Sequence, residues 1–166
     1  ARSFVPTGKA SMKGFGQTAT VAPIDFASIT VEGFVSLIDI LVGIARRWVV
    51  ATCDWRHAAA AEERLPESFV RCGVWVKPDG APQFTGDRPG TGWEAVGIFH
   101  RAGRKHWNGG GHHGVWTCGI NRHGQHPTQK PLSLVTEWVE LFSDEGETVL
   151  DPFAGSGTTG VACLKT

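Results

Sequence analysis

The 166-residue sequence lacks net charge: sixteen Lys and Arg balance sixteen Asp and Glu. That excludes a globally basic surface as the means of holding nucleic acid. It also lacks any CxxC pair. Its four cysteines, Cys53, Cys72, Cys118 and Cys163, lie far apart. A disulfide framework is not expected at this size, and a reducing compartment fits better. Cys53, Cys72 and Cys163 sit within apolar runs and are expected in the core. No apolar run is long enough to span a membrane, no signal peptide is visible, and no internal repeat occurs. One absence is local. Between Glu94 and Glu137 there is no carboxylate, while the same stretch carries Arg101, Arg104, Lys105, Arg122, Lys130 and six of the seven histidines. A neutral chain with one basic segment points to a local anion-binding face.

What is present is an alternation of strand and helix signals. Residues 1–24 are rich in Gly, Ser and Thr and read as loop. Thr30 is placed to cap a helix over 31–46 whose apolar residues, from Phe34 to Ile44, cover most of its surface, so the helix is expected to be well buried. Trp48 to Cys53 reads as a buried strand, and Asp54 leads into an alanine-rich helix ending near Pro66. Phe69 to Val76 and Ala95 to His100 read as strands, with a Pro- and Gly-rich loop between them. Pro131 begins a helix, and Val149-Leu150 end a further strand. This alternation predicts an α/β fold, a Rossmann-like, mostly parallel sheet with helices on both faces. Residues 101–131 show almost no periodicity. A stretch of roughly thirty such residues inside one domain is expected to be functional.

The chemistry concentrates near the carboxyl end. There Thr148-Val149-Leu150 is followed by Asp151-Pro152-Phe153-Ala154-Gly155-Ser156-Gly157-Thr158-Thr159-Gly160. This is a strand tip, an acid, a glycine-rich turn and the start of a helix. Glycines let a ligand approach bare backbone, and the helix points free N–H groups into the same space. Gly155, Gly157 and Gly160 form a G-x-G-x-x-G. A P-loop is excluded, because Val161 and Ala162 stand where Lys and Ser or Thr are required. An NAD-dependent oxidoreductase stays open, since its ribose-binding acid would lie beyond Thr166. So does a fragment that binds cofactor or DNA without catalysis.

Two motifs narrow this. His126-Pro127-Thr128-Gln129-Lys130-Pro131, followed one helix and one strand later by Asp151-Pro152-Phe153-Ala154-Gly155-Ser156-Gly157-Thr158-Thr159, resembles the DNA amino-methyltransferases that use S-adenosylmethionine. The order looks like the permuted group in which the cofactor half follows the catalytic half. Residues Val76 through Trp116, including Gly86-Asp87-Arg88-Pro89-Gly90, look similar to phage- and bacterial-type members. The resemblance implies a single methyltransferase domain over 1–166, incomplete at both ends. It also implies S-adenosylmethionine as cofactor, double-stranded DNA as partner, a homodimer as a common state, restriction-modification as setting, and a bacterial or phage-type cytoplasmic, nucleoid-associated location. His126, Thr128, Gln129, Lys130, Pro131 and the residues from Asp151 to Thr159 would line the cofactor pocket. Lys130 and Thr128 would meet the cofactor carboxylate, Asp151 its ammonium, and Phe153 would offer an apolar wall.

The family also has a catalytic tetrapeptide, Asp, Asn or Ser followed by Pro-Pro and an aromatic. No Pro-Pro occurs in this sequence, so the catalytic residues are unknown and the tetrapeptide is expected before Ala1. The implied reaction is methylation of an exocyclic amine, adenine N6 favoured over cytosine N4, on a base flipped out of the duplex. Residues 101–125 form the candidate target-recognition segment. Arg101, Arg104, Lys105, His106 and Arg122 would meet phosphates, Arg104 would read guanine and Asn108 adenine edges, and Trp107 would stack or wedge. A metal site from His112, His113, Cys118, His123 and His126 is not expected, because the spacings match no zinc pattern.

Overall fold

A helix cap sets the start of the first element. The Gly33 N–H donates to Thr30 Oγ1 at 3.0 Å, and helix α1 follows over Val31–Ile44. The computed structural model describes residues 28–80, 83, 86–121 and 129–166. Strand β1 is Trp48–Cys53, helix α2 Trp55–Arg64, and strands β2 and β3 are Phe69–Val76 and Trp93–His100. Strand β4 is Val115–Thr117, and helices α3 and α4 are Leu132–Phe142 and Thr158–Cys163. Asp54 caps α2 by accepting from the Arg56 N–H at 2.9 Å. No helix among the described residues is long and apolar enough to cross a membrane.

The four described strands form one sheet in the order β1-β3-β2-β4. Strand β3 is an inner strand, paired along its length with β1 and β2 and covered on both faces, which is why β3 is buried from Ala95 to His100. Side chains alternate across it. Phe99 packs with Val49 against Phe34, Ile38 and Val42 of α1 and Ala61 of α2. Val96 and Ile98 point the other way, to Trp75, Trp116, and Leu134 and Phe142 of α3. Helices on both faces of an α/β sheet are therefore present.

Four expectations need correction. The sheet is not mostly parallel among the described strands. β1 and β2 both pair with β3 antiparallel, and only β2 and β4 run parallel. Alternation in sequence does not fix strand direction when the connections are long, as between β2 and β3. Helix α1 is not buried all round: Ile40 and Ile44 are exposed, because α2 and the sheet cover only the stripe through Phe34, Ile38 and Val42. Val149-Leu150 is not a strand among the described residues; both side chains are exposed and no described strand lies beside them. Cys72 and Cys163 are exposed and Cys53 is half-buried. Cys72 lies just past the irregularity between Phe69 and Arg71, where β2 turns its side chains outward, and Cys163 is the last residue of the short helix α4.

Strand β4 lies inside the stretch where periodicity failed. Its seat depends on Gly73, where a Cβ would lie 2.7 Å from the Trp116 ring and 2.8 Å from the Gly114 carbonyl oxygen. That close approach buries Trp116 in the second core.

Candidate functional site

The glycine turn is built by its own acid. The Asp151 carboxylate accepts from the Phe153 N–H at 2.9 Å through one oxygen and from Thr159 Oγ1 at 2.6 Å through the other. One residue thereby ties the chain before the turn to the first turn of α4. Gly155 and Gly157 take φ of +51° and +77°, a left-handed region that a side chain would strain. A Cβ at Gly157 or Gly160 would meet nothing within 4 Å, so space is open beside the backbone where α4 begins. Pro152, Phe153, Ala154 and Ser156 are exposed, and the Phe153 ring is 70% accessible. Ser156 Oγ and Thr158 Oγ1 lie 3.3 Å apart. The result is an exposed turn with open space at the start of α4, the Ser156 hydroxyl at its edge and Phe153 as an apolar wall.

The second motif reaches the turn through Gln129, whose Nε2 donates to Thr158 Oγ1 at 3.4 Å. Pro131 stands at the cap position of α3. His126 and Thr128 lie outside the described residues, as does Arg122. Lys130 is placed unexpectedly. Its Nζ lies 3.0 Å from Glu94 Oε2, while Lys77 Nζ lies 3.0 Å from Glu94 Oε1. Both ammonium groups sit over the Trp75 ring, at 5.4 and 5.3 Å from its centroid. Burial pushes the Glu94 carboxyl upward, but the two lysines outweigh it and hold the carboxyl below its ordinary value. Sequence reasoning missed Glu94 and Lys77. The signal available was weak: Glu94 is the last acid before the acid-free stretch.

In the basic segment, Arg101, Arg104, Lys105 and His106 are exposed. Trp107 and Asn108 have internal tasks. The Trp107 ring packs on Phe142 and Trp48 at centroid distances of 5.1 and 6.1 Å, and its Nε1 donates to the Gly110 carbonyl at 2.9 Å. Asn108 Nδ2 donates to the carbonyls of Glu140 and Ser143 and to Asp144 Oδ1, at 3.1, 2.8 and 2.8 Å. These bonds close the carboxyl end of α3. The His106 carbonyl accepts from Trp48 Nε1 at 2.6 Å and from Arg47 at 3.2 Å. Arg47 in turn pairs with Asp144 and Glu147. The segment is thus fastened at residues 106–108, leaving 101–105 projecting.

His112 is also used locally: the Gly114 N–H donates to its Nδ1, its Nε2 lies 3.4 Å from Glu137, and its ring stacks on Trp116. His123 and His126 lie outside the described residues, and among the described ones no group of three His, Cys, Asp or Glu is placed to hold a metal ion. A depression of about 440 Å³ lies along α3 and α4, apart from the glycine turn. Glu140, Asp144, Glu145 and Glu147 line it, so it is poorly suited to an anion.

Residues 52–166 match the family model described as DNA methylase. The chain is 33% identical over 123 residues to Type II methyltransferase M.XycI of Xanthomonas campestris pv. cyanopsidis, an alignment covering 66% of this chain and 40% of that protein. It is 31% identical over 125 residues to Type II methyltransferase M.Cfr9I of Citrobacter freundii, covering 67% and 41%. The chain therefore spans about two fifths of the length of these relatives. The crystal structure of an M1.HpyAVI–SAM complex shares the fold, with a TM-score of 0.65 at 22% identity over 81% of this chain and 70% of that one.

Proposed function

The chain belongs to the DNA methylase family, and from that premise we propose that it supplies the S-adenosylmethionine pocket and a DNA-contacting segment of an enzyme that methylates an exocyclic amine in duplex DNA. Adenine N6 is the favoured acceptor. The carrying observation is the turn at 151–160, whose acid is locked in place and whose glycines leave open space over free backbone. That space suits a zwitterionic ligand with an apolar base. Once bound, the cofactor supplies an electrophilic methyl group.

The chain's residues would divide the work as follows. Asp151 is an acceptor for an ammonium, beyond the two bonds it makes within the turn. Lys130, with Thr128 and His126, is the donor side for a carboxylate. Phe153 covers the apolar part of the ligand, and Thr158 and Thr159 bring hydroxyls to the start of α4. Arg101, Arg104, Lys105 and His106, with Arg122, hold phosphates next to the target base, which must leave the duplex to be reached. Trp107 and Asn108 contribute by fixing that strip to α3. Residues 101–125 then act as the target-recognition segment of a single domain, and a homodimer is the assembly this reading carries. No residue of this chain is assigned to the acceptor amine.

Transfer of tritium from labelled S-adenosylmethionine to duplex DNA by the full-length protein tests this. Label in the DNA, lost with Asp151→Ala, is expected. Absence of label, together with NADH oxidation on a carbonyl substrate, would overturn it.

A further inference from the structure

We propose that Glu94 is a shared counter-ion that sets how strongly Lys130 can grip a carboxylate at the glycine turn, and that Lys77 is the second cation that makes Lys130 releasable. The inference rests on the cofactor reading above. Its basis is the charge count at Trp75. One carboxylate meets two ammonium groups through separate oxygens, both at 3.0 Å. A single Lys–Glu pair would be neutral and complete. Among the described residues, the ion pairs of this cluster leave one positive charge in excess, and each ammonium keeps donors that Glu94 does not use. The side chains are only 15% (Lys77), 29% (Lys130) and 29% (Glu94) accessible, so water screens the cluster incompletely.

The cluster is linked to the site through the chain. Gln129, next in chain to Lys130, bonds Thr158 at the start of α4. Removing Lys130 from a lone Glu94 would strand a half-buried carboxylate, which is costly. Here Lys77 stays on Oε1, so Lys130 can turn to an incoming carboxylate while Glu94 remains paired. Glu94 competes with the ligand for Lys130, and Lys77 relieves that competition. The two neighbours should therefore act with opposite signs. Mere support of the fold does not do this, since losing either partner of a supporting ion pair weakens binding.

The test is calorimetric titration of the chain with S-adenosylhomocysteine, which carries the same amino-acid end. Lys130→Met is expected to weaken binding by roughly tenfold or more. Glu94→Gln is expected to tighten it, and Lys77→Met to weaken it, each by roughly threefold to tenfold. Circular dichroism melts establish that each variant is folded. If Glu94→Gln does not fold, Lys77→Met decides alone from the other side of the carboxylate. Unchanged or weaker binding by folded Glu94→Gln, or unchanged binding by Lys77→Met, overturns the shared counter-ion while leaving the pocket in place. A different failure, no binding by the wild-type chain or indifference to Lys130→Met, overturns the cofactor reading and this inference with it.

Discussion

Replacing Trp107 separates an anchor from a DNA wedge. As an anchor, its indole is half-buried, packs against Phe142 and Trp48, and donates to the Gly110 carbonyl. Gly109 lies so close under the ring that a Cβ there would come within 2.1 Å of it, which shows how tightly the segment folds around the indole. A fully buried Trp→Ala change costs about 3–5 kcal/mol; for a half-buried ring, about 2–3 kcal/mol is expected. Trp107→Phe keeps most of the packing but loses the bond to Gly110, about 1 kcal/mol. For a chain of this size each kcal/mol lowers Tm by about 2–4 °C. Trp107→Ala should thus melt roughly 4–12 °C lower and Trp107→Phe roughly 2–4 °C lower. Far-UV circular dichroism is the suitable probe, because seven tryptophans would blur a fluorescence reading. DNA affinity measured well below both midpoints should fall only modestly for Trp107→Phe. An unchanged Tm for Trp107→Ala, with a large loss of DNA affinity, would refute the anchor and restore the wedge.

Three further outcomes are expected. Asp151→Ala removes the acceptor of both the Phe153 N–H and Thr159 Oγ1; calorimetry should show S-adenosylhomocysteine affinity reduced by about tenfold or more, and unchanged affinity would take Asp151 out of the pocket. Arg104→Ala with Lys105→Ala should flatten the dependence of log K on log salt by up to roughly 1.8, about 0.9 for each phosphate that the chain no longer neutralises; an unaltered slope would move the DNA interface elsewhere. Glu94 is held below its ordinary carboxyl value by Lys130 and Lys77 against the upward push of burial, so its contribution to stability is full above the unfolded carboxyl value of about 4.3 and is lost as pH falls through the lower folded value. Urea unfolding should then show a stability gap between wild type and Glu94→Gln at neutral pH that narrows as the pH falls below about 4.3; a gap independent of pH would mean that the charge is not its source.

How far the sequence could be read depends on whether a feature is local. The caps at Thr30 and Asp54 are set within a few residues, and both helices begin where those residues place them. Strands β2 and β3 are apolar runs bounded by turn residues, and they too were legible. Strand direction was not, because the pairing of β1 and β2 with β3 is decided over connections of up to some forty residues. Strand β4 was invisible for a similar reason: three residues carry no period, and what holds them is the absence of a side chain at Gly73, forty residues away.

The same rule divides the site. The turn at 151–160 could be read because its parts are consecutive; even the Asp151–Thr159 bond spans only eight residues. The charge state around Lys130 could not, because Glu94 and Lys77 reach it from β3 and the end of β2. The basic segment shows the same limit from the other side. Trp107 and Asn108 stood beside arginines and lysines and so looked like base readers, but their partners in α3 and β1 claim them first. Proximity in sequence groups the cations, and Arg101, Arg104, Lys105 and His106 share one exposed strip. It does not reveal the internal contacts of the tryptophan and the asparagine, whose ring and amide meet a distant buried face and an open helix end. A residue type that both cores and nucleic acids can use is placed by its tertiary neighbours, and here those neighbours tie the strip to β1 and α3.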